Sequence, residues 1–318
     1  MMRRRFALIL VPVALAALSC ARSNPEQTAP EENRKTAAST EPASPPARIN
    51  SARALEYVRE MVALGPRPVA SAAHKKLEDY LRTRLQHDSL EEDAFTAATP
   101  SGPVAMRNFI AKFPGTKDGV IVIAGHYDTK RQPSGFLGAN DGGSSAALLL
   151  ALADHLRAQK QRTGYSVWLV WFDGEEAWDR DITDRDGLYG SRHLAALWKQ
   201  QGVTAKIRAL LLADMIGDAQ LDVLRDQRST PWLLDLVQQA ATNLGYRSHF
   251  FRFEGAMIDD HTAFAEAGVP VADLIDFDYG YQNAFWHTTD DTVDKLSPRS
   301  LEIVGNVMLQ ATWMLDQR

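Results

Sequence analysis

Eight residues of this chain are of types that could do chemistry together: His126, Asp141, Glu175, Glu176, Asp214, Asp259, Asp260 and His287. Each follows closely on an apolar run, and they are scattered widely along the chain. Groups so far apart act together only if a fold gathers them. Carboxylates and imidazoles are hard-to-borderline ligands, the mixture that suits zinc. They form no local motif with two histidines one helical turn apart, so composition and spacing leave the metal open.

Each group also has a plainer reading. Asp141 sits in Gly138-Ala139-Asn140-Asp141-Gly142-Gly143-Ser144, flexible enough for a tight approach ahead of a helix, and it could simply cap that helix. Glu175 and Glu176 follow Trp171-Phe172-Asp173-Gly174. Adjacent carboxylates just past an apolar strand repel, so a cation or a shared proton is the natural remedy, and a solvated loop is the alternative. Asp214 after Leu210-Leu211-Leu212 could merely end a strand, and His287 after Phe285-Trp286, if it stood alone, would read as a core histidine.

The elements that must position these groups alternate along the chain. Ala52 to Leu64 and Ala73 to Leu85 have apolar residues at helical spacing, and Asn108 to Phe113 and Val120 to Ala124 read as strands. Ser144 to Leu156 predicts a helix, Ser166 to Phe172 a strand, Ser191 to Lys199 a helix and Ala209 to Leu212 a strand. Trp232 to Leu244, Asp259 to Ala267 and Pro298 to Leu315 predict helices, with Val269 to Ile275 a strand between the last two. This order predicts an α/β fold: an open, mixed but mostly parallel central sheet with helices on both faces. His126, Glu175-Glu176 and Asp214 then fall at or just beyond strand ends, and His287 follows a longer loop. Ligands in such sheets bind outside the carboxyl ends of the strands.

The chain has 318 residues, is 45% hydrophobic and carries a formal charge of −5. That is ample material for one large core, and it lacks the basic stripe of a nucleic-acid binder. The one tight basic cluster, Arg3-Arg4-Arg5, precedes the apolar run Phe6 to Leu18. The run is shorter than a bilayer span needs and has the layout of an export signal. It ends at Ser19-Cys20, the only cysteine, so no intramolecular disulfide can form. Cys20 suggests a bacterial lipoprotein acceptor, with an ordinary cleaved signal as the alternative. Residues 21–50 are rich in Pro, Glu, Ala, Ser and Thr, a composition that reads as a disordered tether. The expected organisation is a signal over 1–20, a tether over 21–50 and one catalytic domain over 51–318. The protein is expected to be exported to the periplasm or cell envelope, with membrane contact only through a lipid anchor.

Taken in order, Gly125-His126-Tyr127-Asp128, Gly138-Ala139-Asn140-Asp141, Phe172-Asp173-Gly174-Glu175-Glu176, Ala213-Asp214, Asp260-His261 and His287-Thr288-Thr289-Asp290-Asp291-Thr292 resemble the successive signatures of the M28 zinc-peptidase superfamily. The resemblance runs from about Ser51 onward. Within the superfamily the chain is more similar to the glutaminyl cyclases than to the aminopeptidases. Three places carry this: Leu188-Tyr189-Gly190-Ser191-Arg192-His193-Leu194-Ala195, Asp259 ahead of Asp260-His261, and Trp286 directly before His287. Leu64-Gly65-Pro66-Arg67 is a weaker match of the same kind.

The cyclase resemblance implies one zinc held by Asp141, Glu176 and His287, with Glu175 as proton shuttle. It further implies a hydrogen-bonded acid cluster of Asp214 and Asp259 with Glu175, and a pocket wall formed by Trp286 together with Phe285 and Trp178. The implied substrates are peptide or protein N-termini, and a monomer is expected. The alternative within the same superfamily is a two-zinc aminopeptidase, in which His126 and Asp214 join a second metal, Asp141 bridges and Glu175 activates a water. A catalytically dead binding protein on the same scaffold is a third reading, and the completeness of the residue set argues against it. The chain departs from the cyclase pattern at Ala177-Trp178-Asp179-Arg180-Asp181 and in the loop from Ile275 to Trp286, and both regions should bear on substrate range.

Overall fold

The computed structural model describes residues 48–159 and 162–318; the expected signal, Cys20 and most of the expected tether lie outside them. Along the chain the elements are α1 (Ser51–Val62), α2 (Ala72–Leu85), β1 (Ser89–Thr99), β2 (Gly102–Phe113), β3 (Lys117–His126), α3 (Gly143–Ala158), β4 (Tyr165–Phe172), α4 (Tyr189–Gln200), β5 (Ile207–Asp214), β6 (Val223–Asp226), α5 (Pro231–Asn243), β7 (Phe250–Gly255), α6 (His261–Glu266), β8 (Val271–Ile275) and α7 (Pro298–Asp316).

The apolar runs become the middle of one six-stranded sheet in the order β1-β2-β4-β3-β5-β8. β4, β3, β5 and β8 are mutually parallel, whereas β2 pairs antiparallel with β4 and β1 antiparallel with β2. Period-two alternation divides each central strand between two cores. Ile121, Ile123, Leu169, Trp171 and Leu211 face the layer of α1, α2, α3, α5 and α7. Val122, Val170, Phe172, Leu210 and Leu212 face α4 and α6. A strand buried on both faces is apolar at successive positions, which is why these segments read as continuous runs.

Three strands were not anticipated. β1 is an edge strand in which exposed and half-buried residues alternate, and its Glu91, Glu92 and Asp93 look like loop in the sequence. Charges on an edge are a natural guard against pairing with other chains. β6 and β7 make a separate parallel pair too short to show a period. The predicted helix over Asp259 to Ala267 begins two residues later than expected, leaving Asp259 and Asp260 ahead of it.

Topology sets where the site lies. β3 leads into α3 on one face, whereas β4 leads into α4 on the other. Loops that leave neighbouring strands towards opposite faces open a crevice between them at the carboxyl end of the sheet.

Candidate active site

His126 is the last residue of β3 and Asp214 the last of β5, while Glu175 and Glu176 lie on the loop that leaves β4. Asp141 lies between β3 and α3 in a loop held from three sides. Arg67, fully buried, donates from Nη1 to the Leu137 carbonyl at 2.8 Å and from Nη2 to the Gly138 carbonyl at 2.9 Å. The Asp291 carboxylate accepts from the backbone N–H groups of Asn140 at 2.8 Å and Asp141 at 3.1 Å, and the Tyr279 hydroxyl donates to it at 2.8 Å. The first turn of α3 pins the same loop, since Ser144 Oγ donates to the Asn140 carbonyl at 2.6 Å and Ser145 Oγ to that of His126 at 3.1 Å. Gly142 follows Asp141 with φ +75°, and a Cβ there would lie 2.3 Å from the Asp128 carbonyl oxygen, so only glycine fits.

The glutamate pair is fixed through its backbone. Glu175 and Glu176 donate their N–H groups to the Asp128 carboxylate at 3.1 and 3.3 Å. Lys130 Nζ lies 3.2 Å from Glu176 Oε2, which leaves Oε1 to face His287. His287 itself has φ +53°, left-handed backbone that a non-glycine residue adopts only under constraint. Its ring stacks on Trp286 at 4.0 Å, and Phe277 meets Trp286 edge-on at 4.9 Å.

Asp141, Glu176 and His287 together could hold an ion. His287 Nε2 lies 3.3 Å from Asp141 Oδ2 and 3.4 Å from Glu176 Oε1. Bonds of about 2.0–2.2 Å around a tetrahedral zinc place neighbouring ligand atoms roughly 3.3–3.6 Å apart. Both oxygens are buried and have no hydrogen-bond partner among the described residues, a costly arrangement unless a cation completes it. The donor set therefore fits zinc. A second set, His126, Asp141 and Asp214, shares Asp141 with the first. There His126 Nε2 is 3.1 Å from Asp214 Oδ1, a hydrogen bond, and 3.2 Å from Asp141 Oδ1.

Burial dominates the electrostatics. It pushes the Glu175 carboxyl well above the usual range; Glu176, Asp259 and Asp260 add to this, while His126 opposes it. Burial likewise raises Asp214 against the hydrogen bond from His126, and lifts Asp259 to about 7 with help from Asp214. For Asp141 burial is outweighed by His126 and His287, which hold it well below the usual carboxylate range. His287 is drawn down by burial but lifted to about 9 by Asp141 and Glu176. The site thus pairs a carboxyl that keeps its charge, Asp141, with carboxyls that resist it, the pattern of acid–base centres.

A cavity of about 200 Å³ opens over these groups, with Asp141, Glu175, Glu176, Asp214, Asp259 and His287 all on its wall. It is smaller than the roughly 300 Å³ at which drug-sized pockets begin, so it suits one side chain. Trp286 lines it, but two other aromatics assigned to the wall from sequence do not. Phe285 turns away and packs edge-on against Tyr279 at 5.4 Å. Trp178 lies in a small satellite cluster near Met106, with Arg131 over its ring at 3.8 Å and its Nε1 donating to Ser101 Oγ at 2.6 Å. Instead Arg180, Asp181 and Ile182 of the same loop reach the cavity. Glu175, Asp214 and Asp259 share the cavity without a direct hydrogen bond among them; Asp214 bonds to His126 instead. Sequence reasoning missed Lys130, whose signal was only its place just beyond Gly125-His126-Tyr127-Asp128, and it left the positioning roles of Asp128 and Asp291 unread.

The family model of peptidase family M28 matches residues 108–312, the span that carries nearly all of these groups. The chain belongs to peptidase family M28. Within this family it joins the glutaminyl cyclase branch. The solved structure of an Acidobacteriales bacterium glutaminyl cyclase is similar with a TM-score of 0.85 at 46% identity, covering 88% of this chain and 100% of that one. The Porphyromonas gingivalis glutaminyl cyclase matches with a TM-score of 0.75 at 28% identity, over 85% of this chain and 98% of that one. A glutaminyl-peptide cyclotransferase-like protein of Bos taurus is 32% identical over 260 residues, 74% of this chain and 67% of that protein.

Proposed function

We propose that this protein cyclises the N-terminal glutamine of peptides or proteins to pyroglutamate with release of ammonia, using one zinc held by Asp141, Glu176 and His287. The observation that carries the reading is the pair of buried oxygens, Asp141 Oδ2 and Glu176 Oε1, without hydrogen-bond partners among the described residues and set at ligand spacing around His287 Nε2. Beside them Glu175 is a carboxyl that burial makes a stronger base once ionised.

When bound, zinc would polarise the side-chain amide carbonyl of the substrate glutamine and stabilise the negative charge that develops on its oxygen. The α-amine nitrogen attacks the amide carbon, forming the ring C–N bond. Glu175 accepts the proton lost by that nitrogen and returns it to the departing amide nitrogen, which leaves as ammonia as its C–N bond breaks. No water is consumed. Asp259, raised to about 7 by burial and by Asp214, acts on Glu175 through charge: once ionised it adds to the repulsion that favours the protonated form of Glu175. Trp286 walls the space for the glutamine side chain and keeps it dry, so the polar contacts act in low dielectric.

A two-zinc aminopeptidase is the second reading, favoured by the His126, Asp141 and Asp214 set. The hydrogen bond already formed between His126 Nε2 and Asp214 Oδ1 supports the single-zinc reading over it. A paired assay decides: a Gln-peptide and a Leu-peptide, scored for ammonia and for free amino acid. Ammonia from the first alone is expected, and leucine release without ammonia overturns the reading. We also propose export with lipidation at Cys20, which metabolic labelling with a fatty-acid analogue tests against a Cys20→Ser variant.

A further inference from the structure

The loop that carries Glu175 and Glu176 is anchored at its other end by a residue assigned no role above. Asp173, fully buried, donates its N–H to Asn108 Oδ1 at 3.0 Å, and its carbonyl accepts from the Gly190 N–H at 2.9 Å. Its carboxylate accepts from the Arg107 N–H at 2.8 Å, and its other oxygen lies 2.8 Å from His74 Nε2. Asp173 therefore joins β2, α4 and α2 at the base of the glutamate loop. There is little slack between it and the ligand, because the Gly174 and Glu175 carbonyls accept from the N–H groups of Tyr189 at 2.9 Å and Leu188 at 2.8 Å.

Of these partners His74 is the one that a side-chain substitution can remove without touching the sheet. It stands in the first turn of α2, where its N–H donates to the Ser71 cap at 3.0 Å. The ring is buried and stacks on Tyr127 at 5.2 Å and 22°, and the Tyr127 hydroxyl donates to the Arg107 carbonyl at 2.8 Å. The imidazole thus packs on Tyr127 and bonds Asp173 through Nε2, two separable roles, while its Nδ1 stands at the longer distance of 3.9 Å from Glu78 Oε1.

We propose that His74 is a positioning residue: through its hydrogen bond to Asp173 it fixes the Gly174-Glu175-Glu176 loop so that Glu176 meets the zinc site and Glu175 meets the substrate. The inference rests on the ligand and shuttle assignments made above. Partners hydrogen-bonded directly to a metal ligand cost about 10–100-fold in metal affinity or activity when removed, and His74, which acts through Asp173, belongs at the lower end of that range. The bond itself needs only a donor at Nε2.

Two variants separate its two functions. His74→Phe keeps a ring against Tyr127 and loses the donor; His74→Gln loses the ring and keeps an amide donor at nearly the same reach. The expected result is that H74F lowers kcat about tenfold with KM within about twofold, and weakens zinc binding of the metal-free protein in a competition with a chromophoric chelator. H74Q is expected to stay within a few-fold of the parent on both counts. Parent-like values for H74F overturn the proposal, as does an H74Q as impaired as H74F, because packing would then be the whole role. If H74F does not fold, His74→Met replaces it with the same expectation. Zinc affinity is read without substrate, so a parent protein that releases no ammonia defeats the cyclase reading while this test still stands or falls on its own.

Discussion

Arg67→Met isolates the contribution of a single buried cation to the zinc site. Arg67 is fully enclosed, and its guanidinium holds the Leu137 and Gly138 carbonyls, two successive groups at the start of the loop that ends in Asp141. Methionine fills much of the aliphatic space but donates nothing, so the buried Gly138 carbonyl and the half-buried Leu137 carbonyl lose their donors. The first costs about 1–3 kcal/mol and the second, within reach of water, less. Against this, the guanidinium's own burial is unfavourable, enough to pull its pKa down to about 10 even beside Asp291, Asp128 and Asp141. Setting one against the other leaves a net loss of about 2 kcal/mol. For a domain of this size that corresponds to a Tm lower by about 4–8 °C. Because the freed loop carries the proposed ligand Asp141, zinc affinity should fall about 10–100-fold as well. Arg67→Lys should rescue little, since one ammonium cannot span two carbonyls as the planar fork does. Thermal unfolding of the metal-free and zinc-loaded forms, with chelator competition, reads both quantities. A Tm drop of under about 2 °C together with unchanged zinc affinity refutes the claim that this arginine holds the loop.

Glu175→Gln should abolish ammonia release, by about 10²–10⁴-fold, while metal analysis still finds one zinc per chain; an active variant removes Glu175 from the shuttle role. In the metal-free protein His287 keeps its proton up to about pH 9, and zinc needs the bare imidazole, so apparent zinc affinity should rise about tenfold per pH unit from 6.5 to 8.5; a flat profile refutes this. The same raised value means that His287 stabilises the metal-free fold fully below its unfolded value of about 6.5 and that this contribution is lost as pH rises through about 9. Asp259 acts with the same sign lower down, its contribution being lost between about pH 4 and its folded value of about 7, so metal-free Tm should decline steadily from pH 5 to 9. Trp286→Ala should raise KM for a Gln-peptide more than it lowers zinc content, and the reverse order would place Trp286 with the ligands rather than with the substrate.

The parallel core was legible because strands buried on both faces cannot hide: Val120 to Ala124 and Leu210 to Leu212 have no polar position to spare. β1 was illegible for the opposite reason, since an edge strand keeps its charges and so resembles a loop. The ligand-type residues could be picked out because each sits where a core strand or its loop ends. What positions them could not. A carboxylate that accepts two backbone N–H groups, as Asp128 and Asp291 do, is written with the same letter as one dissolved in water. Phe285 and Trp178 show the remaining gap. Phe285 is one residue away from Trp286, and in irregular backbone one residue is enough to turn a ring from the cavity to the packing behind it.

The left-handed backbone at His287 sets stability and chemistry against each other at one position. Such a conformation costs a side-chain-bearing residue about 1–3 kcal/mol, which asparagine feels less and glycine hardly at all. Random substitution towards those residues relaxes the chain while deleting a donor atom from the site. Against that relief stands the proton-linked stabilisation that His287 draws from Asp141 and Glu176, so in the metal-free protein the residue is kept in place by charge and not by its backbone. Replacing it by glycine should therefore cost stability at neutral pH and gain it above about pH 9, where only the backbone strain remains.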